Sequence, residues 1–148
     1  MTFRIRHVES RDKTTWKILF NGYLEFYRTE LSEELIELAW ERLVDPDFNS
    51  YGLIAETDGE VLGICHYSFQ TSTWALKHYC YLEDLFVSSD ARGRGVGRGL
   101  IDAVIEISRE DGSSRIYWNT DATNETARKL YDTYTQESGK VQYRIQLA

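Results

Sequence analysis

The run from Tyr81 to Leu100 constrains this chain more than any other part of it. An apolar and acidic stretch, Tyr81-Leu-Glu-Asp-Leu-Phe-Val87, reads as a strand. A short polar turn follows, and the glycine- and arginine-rich segment Arg92-Gly-Arg-Gly-Val-Gly-Arg98 passes directly into a helical pattern. A strand feeding a glycine turn and a helix start has the architecture of an anion cradle. Closely spaced glycines let backbone N–H groups converge, and the helix N-terminus adds the positive end of its dipole. Arg92, Arg94 and Arg98 add guanidinium groups suited to phosphate oxygens. The run predicts a pyrophosphate site for a nucleotide-containing cofactor. The alternative is a surface turn with solvated arginines.

Two common phosphate motifs fail on the residues. A P-loop needs Lys and then Ser or Thr after its last glycine, whereas Gly97 is followed by Arg98 and Gly99. A dinucleotide fingerprint needs a third glycine where Arg98 stands. The spacing Arg92-x-x-Gly95-x-Gly97 instead resembles the Arg/Gln-x-x-Gly-x-Gly/Ala signature of the GNAT superfamily of N-acetyltransferases. In that family the loop holds the pyrophosphate of acetyl-CoA. The resemblance implies a cofactor site at Arg92, Gly93, Arg94, Gly95, Val96, Gly97 and Arg98, with backbone from Leu85, Phe86 and Val87 facing the thioester carbonyl.

The rest of the chain supplies compatible elements. Alternation predicts strands at about 3–8, 51–56, 61–69, 79–87, 115–119 and 141–147. Helical spacing predicts helices at 11–28, 32–43 with Ser32 as N-cap, 100–107, and 124–134 with Thr123 as N-cap. Leu35, Ile36, Ala39, Trp40 and Leu43 share one face of the second helix, and Trp16 and Trp40 read as core. Asp58-Gly59 signals a hairpin. This order predicts one α/β (α+β) domain over residues 1–148 with a mixed, mostly antiparallel sheet. It is also the element order of the GNAT fold, in which the fourth and fifth strands splay apart around the cofactor.

The segment Asn124-x-x-Ala127-x-x-x-Tyr131 resembles a second family motif. The resemblance gives Asn124 the pantetheine arm or its loop, and gives Tyr131 the protonation of the leaving thiolate, with Tyr134 one turn away as the fallback. The Gly-Phe pair that usually follows is missing, since Tyr134 is followed by Thr135 and the next glycine is Gly139. The stretch between the last helix and the last strand is therefore expected to be rearranged, with the final strand at a sheet edge.

Acetyl transfer to an amine needs a base, a stabilised oxyanion and a protonated leaving group. Strict alternation puts Tyr81, Glu83, Leu85 and Val87 on one face of their strand and Leu82, Asp84 and Phe86 on the other, so only one of the two acids should line a cleft. Some amine acetyltransferases have a strand like Tyr81–Val87 and use its glutamate on the amine. That resemblance favours Glu83 as base, with Asp84 a lesser candidate. Tyr23, Tyr27, Trp74 and Tyr81 are candidate walls for a cationic or aliphatic acceptor. His66 and His78 are possible bases with no motif behind them, and a histidine in an alternating strand is more often packed. Tyr81–Val87 together with Tyr117-Trp-Asn-Thr-Asp121 and Asn124 looks closest to the small yeast histone and polyamine acetyltransferases and their bacterial relatives, which form dimers or larger assemblies.

Bulk properties narrow the partners. The 148 residues carry a net charge of −7, which disfavours a general nucleic-acid surface. No apolar run approaches the length that spans a bilayer, and the N-terminus has no signal-like core. Cys65 and Cys80 lie in strand patterns and read as buried thiols of a reducing compartment. The three histidines and two cysteines show no zinc spacing, so no metal is expected. The expectation is a cytoplasmic, acetyl-CoA-dependent N-acetyltransferase acting on a small amine, polyamine, exposed lysine or basic peptide as a homodimer or higher homo-oligomer. A catalytically silent acyl-CoA sensor of the same fold and a binder of another nucleotide remain as alternatives.

Overall fold

The computed structural model describes residues 2–148. It divides into one unit ending at Trp118 and a second comprising Asn119–Ala148. The first contains β1 (Arg4–His7), a 3-10 turn (Ser10–Asp12), α1 (Lys13–Phe26), α2 (Glu33–Val44), β2 (Tyr51–Thr57), β3 (Glu60–Gln70), β4 (Tyr79–Val87), a second 3-10 turn (Ser89–Ala91), α3 (Val96–Asp111) and β5 (Ile116–Tyr117). The second contains α4 (Glu125–Tyr131).

The strands form one sheet in the order β1-β2-β3-β4-β5. The first four are antiparallel and β4–β5 is parallel, so the sheet is mixed and mostly antiparallel as the element order predicts. β5 pairs with β4 only at Cys80↔Ile116 and Tyr81↔Tyr117. Among the described residues, no other strand pairs along that side of Leu82–Val87. The two strands part there, which is the splay that the resemblance implies.

Local chemistry explains the boundaries. The Ser32 hydroxyl accepts from Leu35 N–H at 3.1 Å and caps α2. Asp58 and Gly59 take φ of 49° and 78°, the left-handed pair that a tight hairpin needs. Trp16, Leu19, Phe20 and Leu24 of α1 pack with Ile36, Trp40 and Leu43 of α2 and with Ile54 and Ile64 of the sheet. α3 covers the opposite sheet face. A Cβ on Gly63 would lie 3.0 Å from Val96, so the missing side chain lets the helix approach closely.

Four local expectations are corrected. Leu35 is exposed, because it lies off the stripe that α2 buries. The strand expected at 115–119 keeps only two ladder residues, because β4 turns away from it. Asn124, rather than Thr123, caps α4: its Oδ1 accepts from Ala127 N–H at 3.3 Å, and the helix ends at Tyr131. Residues 141–147 form no strand in the single chain. Alternation becomes a strand only where a neighbouring strand completes the ladder.

Candidate active site

The glycine-rich run folds as a cradle. Gly93 and Gly95 take φ of 82° and 80°, a region costly for residues with a Cβ, and Gly95 is the N-cap of α3. The first intrahelical bond runs from Gly99 N–H to Gly95 O at 2.9 Å, so the N–H groups before it have no acceptor within the helix. Arg92 folds back over the rings of Phe26 and Phe86, 5.9 Å from each centroid, with Nε 3.4 Å from Val87 O. Left-handed glycines, open N–H groups and exposed Arg92, Arg94 and Arg98 fit a pyrophosphate.

β4 departs from strict alternation. His66 stands opposite Asp84 and Tyr67 opposite Leu82, so Glu83 is an extra residue with no partner across the ladder. The bulge brings Tyr81, Asp84 and Phe86 to the sheet face under α1, together with Ile64 and His66. Leu82, Leu85 and Val87 turn to the face under α3 with Cys65 and Gly63. The expectation that Glu83 and Asp84 point in opposite directions is thus corrected: both sit near Tyr23 and His66. Side chains of Leu85 and Val87 point away from this face, leaving their backbone as the part available to a cofactor.

The two carboxyls have different surroundings. Asp84 Oδ2 is 2.9 Å from His66 Nδ1, and the Tyr23 hydroxyl lies close to the same carboxyl. Glu83 has no hydrogen-bond or ion-pair partner among the described residues. Its carboxyl is raised above the ordinary range, first by desolvation and then by the Asp84 charge, although its exposure to solvent tempers the effect. Burial, and then the nearby Asp84, push the Tyr23 hydroxyl up strongly, so it stays protonated.

Aromatic rings extend this group toward the cradle. Tyr23 lies against Tyr27 at 4.9 Å and edge-on to Phe86 at 6.4 Å, and Tyr81 stacks on Tyr117 at 4.9 Å. Tyr23, Tyr27, Glu83, Asp84, Phe86 and Arg92 therefore form one continuous set. Trp74 does not join it: it sits on the β3–β4 loop, 81% exposed. Asn124 and Tyr131 belong to the second unit, at the start and end of α4. Cys65 and Cys80 are buried, and burial raises both thiols away from the nucleophilic thiolate. Trp16, read as core, and His66, for which the sequence offers no motif, form a line behind Asp84. Trp16 and His66 are buried, and Trp16 Nε1 donates to His66 Nε2 at 2.9 Å. The residues carry no spacing signal for that contact, because it joins a helix to a strand 50 positions away.

The profile of the Acetyltransferase (GNAT) family matches residues 15–134, which includes the cradle, the β4 acids and α4. The chain belongs to the GNAT acetyltransferase family. It is 32% identical to the D-amino-acid N-acetyltransferase HPA3 of Saccharomyces cerevisiae over 142 residues, covering 95% of this chain and 88% of that one. It is 31% identical to the uncharacterized N-acetyltransferase YhfO of Bacillus subtilis, covering 94% of each. The solved structure of AAC(6')-Iy with a CoA bisubstrate analogue superposes with a TM-score of 0.86 over all of both chains at 20% identity, a likeness of fold. The GNAT chain described here is an acetyl-CoA-dependent acetyltransferase.

Proposed function

We propose that this GNAT enzyme transfers the acetyl group directly to a primary amine, with Glu83 as the base. The observation that carries the reading is the asymmetry of two adjacent acids on one face. Asp84 is engaged by His66, whereas Glu83 keeps its oxygens open and has a raised carboxyl. Environments that separate two neighbouring carboxyls separate their roles. Glu83 is suited to take the ammonium proton, directly or through a water, before the nitrogen attacks.

Acetyl-CoA supplies an activated acetyl carbonyl and a thiolate leaving group. The cradle residues Arg92–Arg98 are assigned to its pyrophosphate, and the backbone of Leu85–Val87, on the open side of β4, to hydrogen bonding near the reacting carbonyl. Asn124 is assigned to the pantetheine arm or the ordering of its own loop. The Tyr131 hydroxyl is assigned to donate a proton to the departing sulfur. These last two roles rest on the Asn124-x-x-Ala127-x-x-x-Tyr131 resemblance. Both thiols are buried, which supports transfer without an acyl-enzyme.

The acceptor class is a small primary amine or a basic peptide, seated between the acids and Tyr23, Tyr27 and Tyr81. The name of the yeast relative places D-amino acids in the screen beside polyamines and lysine analogues. The test is thiol release from acetyl-CoA across that amine panel. Amine-dependent release is the expected result, and CoA binding without release for every amine would instead make the chain a silent acyl-CoA sensor. We assign the enzyme to the cytoplasm as a homodimer or larger homo-oligomer, without nucleic-acid or membrane partners. The homo-oligomer reading rests on Val141, Tyr143, Ile145 and Leu147, alternate residues that are each at least 80% exposed.

A further inference from the structure

Trp16 and Tyr23 lie seven positions apart, on one face of α1. Between their polar atoms stands the cross-strand pair His66 and Asp84. Three side chains make a continuous hydrogen-bonded line, Trp16 Nε1 to His66 Nε2 at 2.9 Å and His66 Nδ1 to Asp84 Oδ2 at 2.9 Å, and the Tyr23 hydroxyl lies close to Asp84.

The direction of each bond follows from the donors available. An indole N–H can only donate, so His66 Nε2 must accept. The proton of the neutral ring is then on Nδ1, aimed at Asp84. A second ring proton would have to sit on Nε2, against the indole N–H. The arrangement therefore suits His66 to donate to Asp84 and makes it unsuited to shuttle protons through Nε2. Trp16 and His66 are both buried behind Asp84.

We propose that Trp16 and His66 are positioning residues that hold the Asp84 carboxyl in one orientation beside Glu83, so that the acceptor's ammonium meets a fixed pair of acids. The inference rests on the reading of Glu83 as the base. Packing alone would ask only that the site be filled by an aromatic ring. The proposed role asks for an acceptor facing Trp16 and a donor facing Asp84.

The experiment compares His66→Gln, which can both accept and donate, with His66→Phe, which can do neither. Nitrogen-15 NMR of the histidine rings in the wild type should show His66 as the Nδ1–H tautomer. His66→Phe should lower kcat and raise the acceptor KM, together on the order of ten-fold in kcat/KM, with CoA affinity unchanged. His66→Gln should recover much of the loss. Trp16→Phe should change the His66 ring signals while CoA still binds. Asp84→Asn should move the acid limb of kcat/KM to lower pH, because Glu83 loses a neighbouring negative charge; the other ionisable groups facing Glu83 are His66 and Tyr23.

An Nε2–H tautomer in the wild type would overturn the chain. So would His66→Gln and His66→Phe with equal activities, whether both wild-type or both reduced in step with Tm. Glu83→Gln at the wild-type rate would overturn the base reading alone, leaving the tautomer and the His66 contrast in place.

Discussion

Glu83 and Asp84 are consecutive residues that lie together near Tyr23 and His66, because β4 carries one extra residue at Glu83. Without that bulge the pleat would send one of them to the α3 face. Replacing Glu83 by Gln is expected to lower kcat about a hundred-fold or more, the usual scale for a lost general base. CoA affinity should stay near wild type. Since the folded carboxyl is raised above its reference value of 4.5, wild-type activity should fall with decreasing pH at a limb above that value. Stopped-flow thiol release over a pH series measures both, and a limb retained in Glu83→Gln would assign it to another group.

Gly95 is the N-cap of α3 at φ 80°. A Cβ there meets no neighbouring atom, so Gly95→Val is limited by backbone conformation rather than by space. An L-residue held in the left-handed region costs about 1–2 kcal/mol, and relief of that strain would turn the N–H groups away from the cradle. CoA affinity should fall at least about ten-fold, equivalent to about 1.4 kcal/mol. Calorimetry on the folded variant checks this, and an unchanged Kd would move the pyrophosphate site elsewhere.

Tyr131→Phe separates chemistry from binding. The ring is kept and only the hydroxyl is lost, so kcat and kcat/KM should fall together by about ten-fold or more while CoA affinity holds. A wild-type rate would remove Tyr131 as the acid and turn attention to Tyr134.

Assembly is tested through the tail. Val141, Tyr143, Ile145 and Leu147 alternate with Gln142, Arg144 and Gln146, an amphipathic strand pattern. Light scattering should give at least twice the 17.3 kDa chain mass. Tyr143→Lys and Ile145→Lys together should shift the mass to that of one chain. A wild-type monomer at high concentration would defeat the oligomer reading.

Acid stability depends on a network away from Glu83 and Asp84. Arg6 donates to Asp12 at 2.8 and 2.9 Å and to Glu56 at 2.9 and 3.1 Å, while Arg4 reaches Glu56 at 2.6 Å. These bonds lower Glu56 from 4.5 to about 2 and also lower Asp12. A depressed carboxyl contributes stability that is complete above its unfolded value and is lost as pH falls through its folded value. The wild-type Tm should therefore decline between about pH 4.5 and 2, with Glu56→Gln showing a weaker decline over that window. Equal acid profiles for the two proteins would show that Glu56 makes no such contribution.

Much of the site was legible locally. Arg92, Gly93, Gly95 and Gly97 announce a cradle because glycine conformation and a helix start act over a few consecutive residues. The hairpin at Asp58-Gly59, the Ser32 cap and the helical core stripe of α1 are local for the same reason. Tyr23 and Tyr27, four apart on a helix, were readable as neighbours.

Tertiary structure decided what local periods leave open. Strict alternation separated Glu83 from Asp84, whereas pairing with β3 inserted a bulge and put both beside His66. Trp16 read only as core, yet its one polar atom sets the orientation of His66 across the helix–sheet interface. Trp74 looked like a pocket wall by composition, but its loop leaves it exposed. Residues 141–147 have the period of a strand and form none alone, because a period chooses which side chains share a face and cannot supply the neighbouring backbone. The sequence by itself thus determined the glycine cradle at the start of α3 and the family, where local form follows from adjacent residues. Which acid is engaged and which is open depended on contacts between β3, β4 and α1, which only the packed fold brings together.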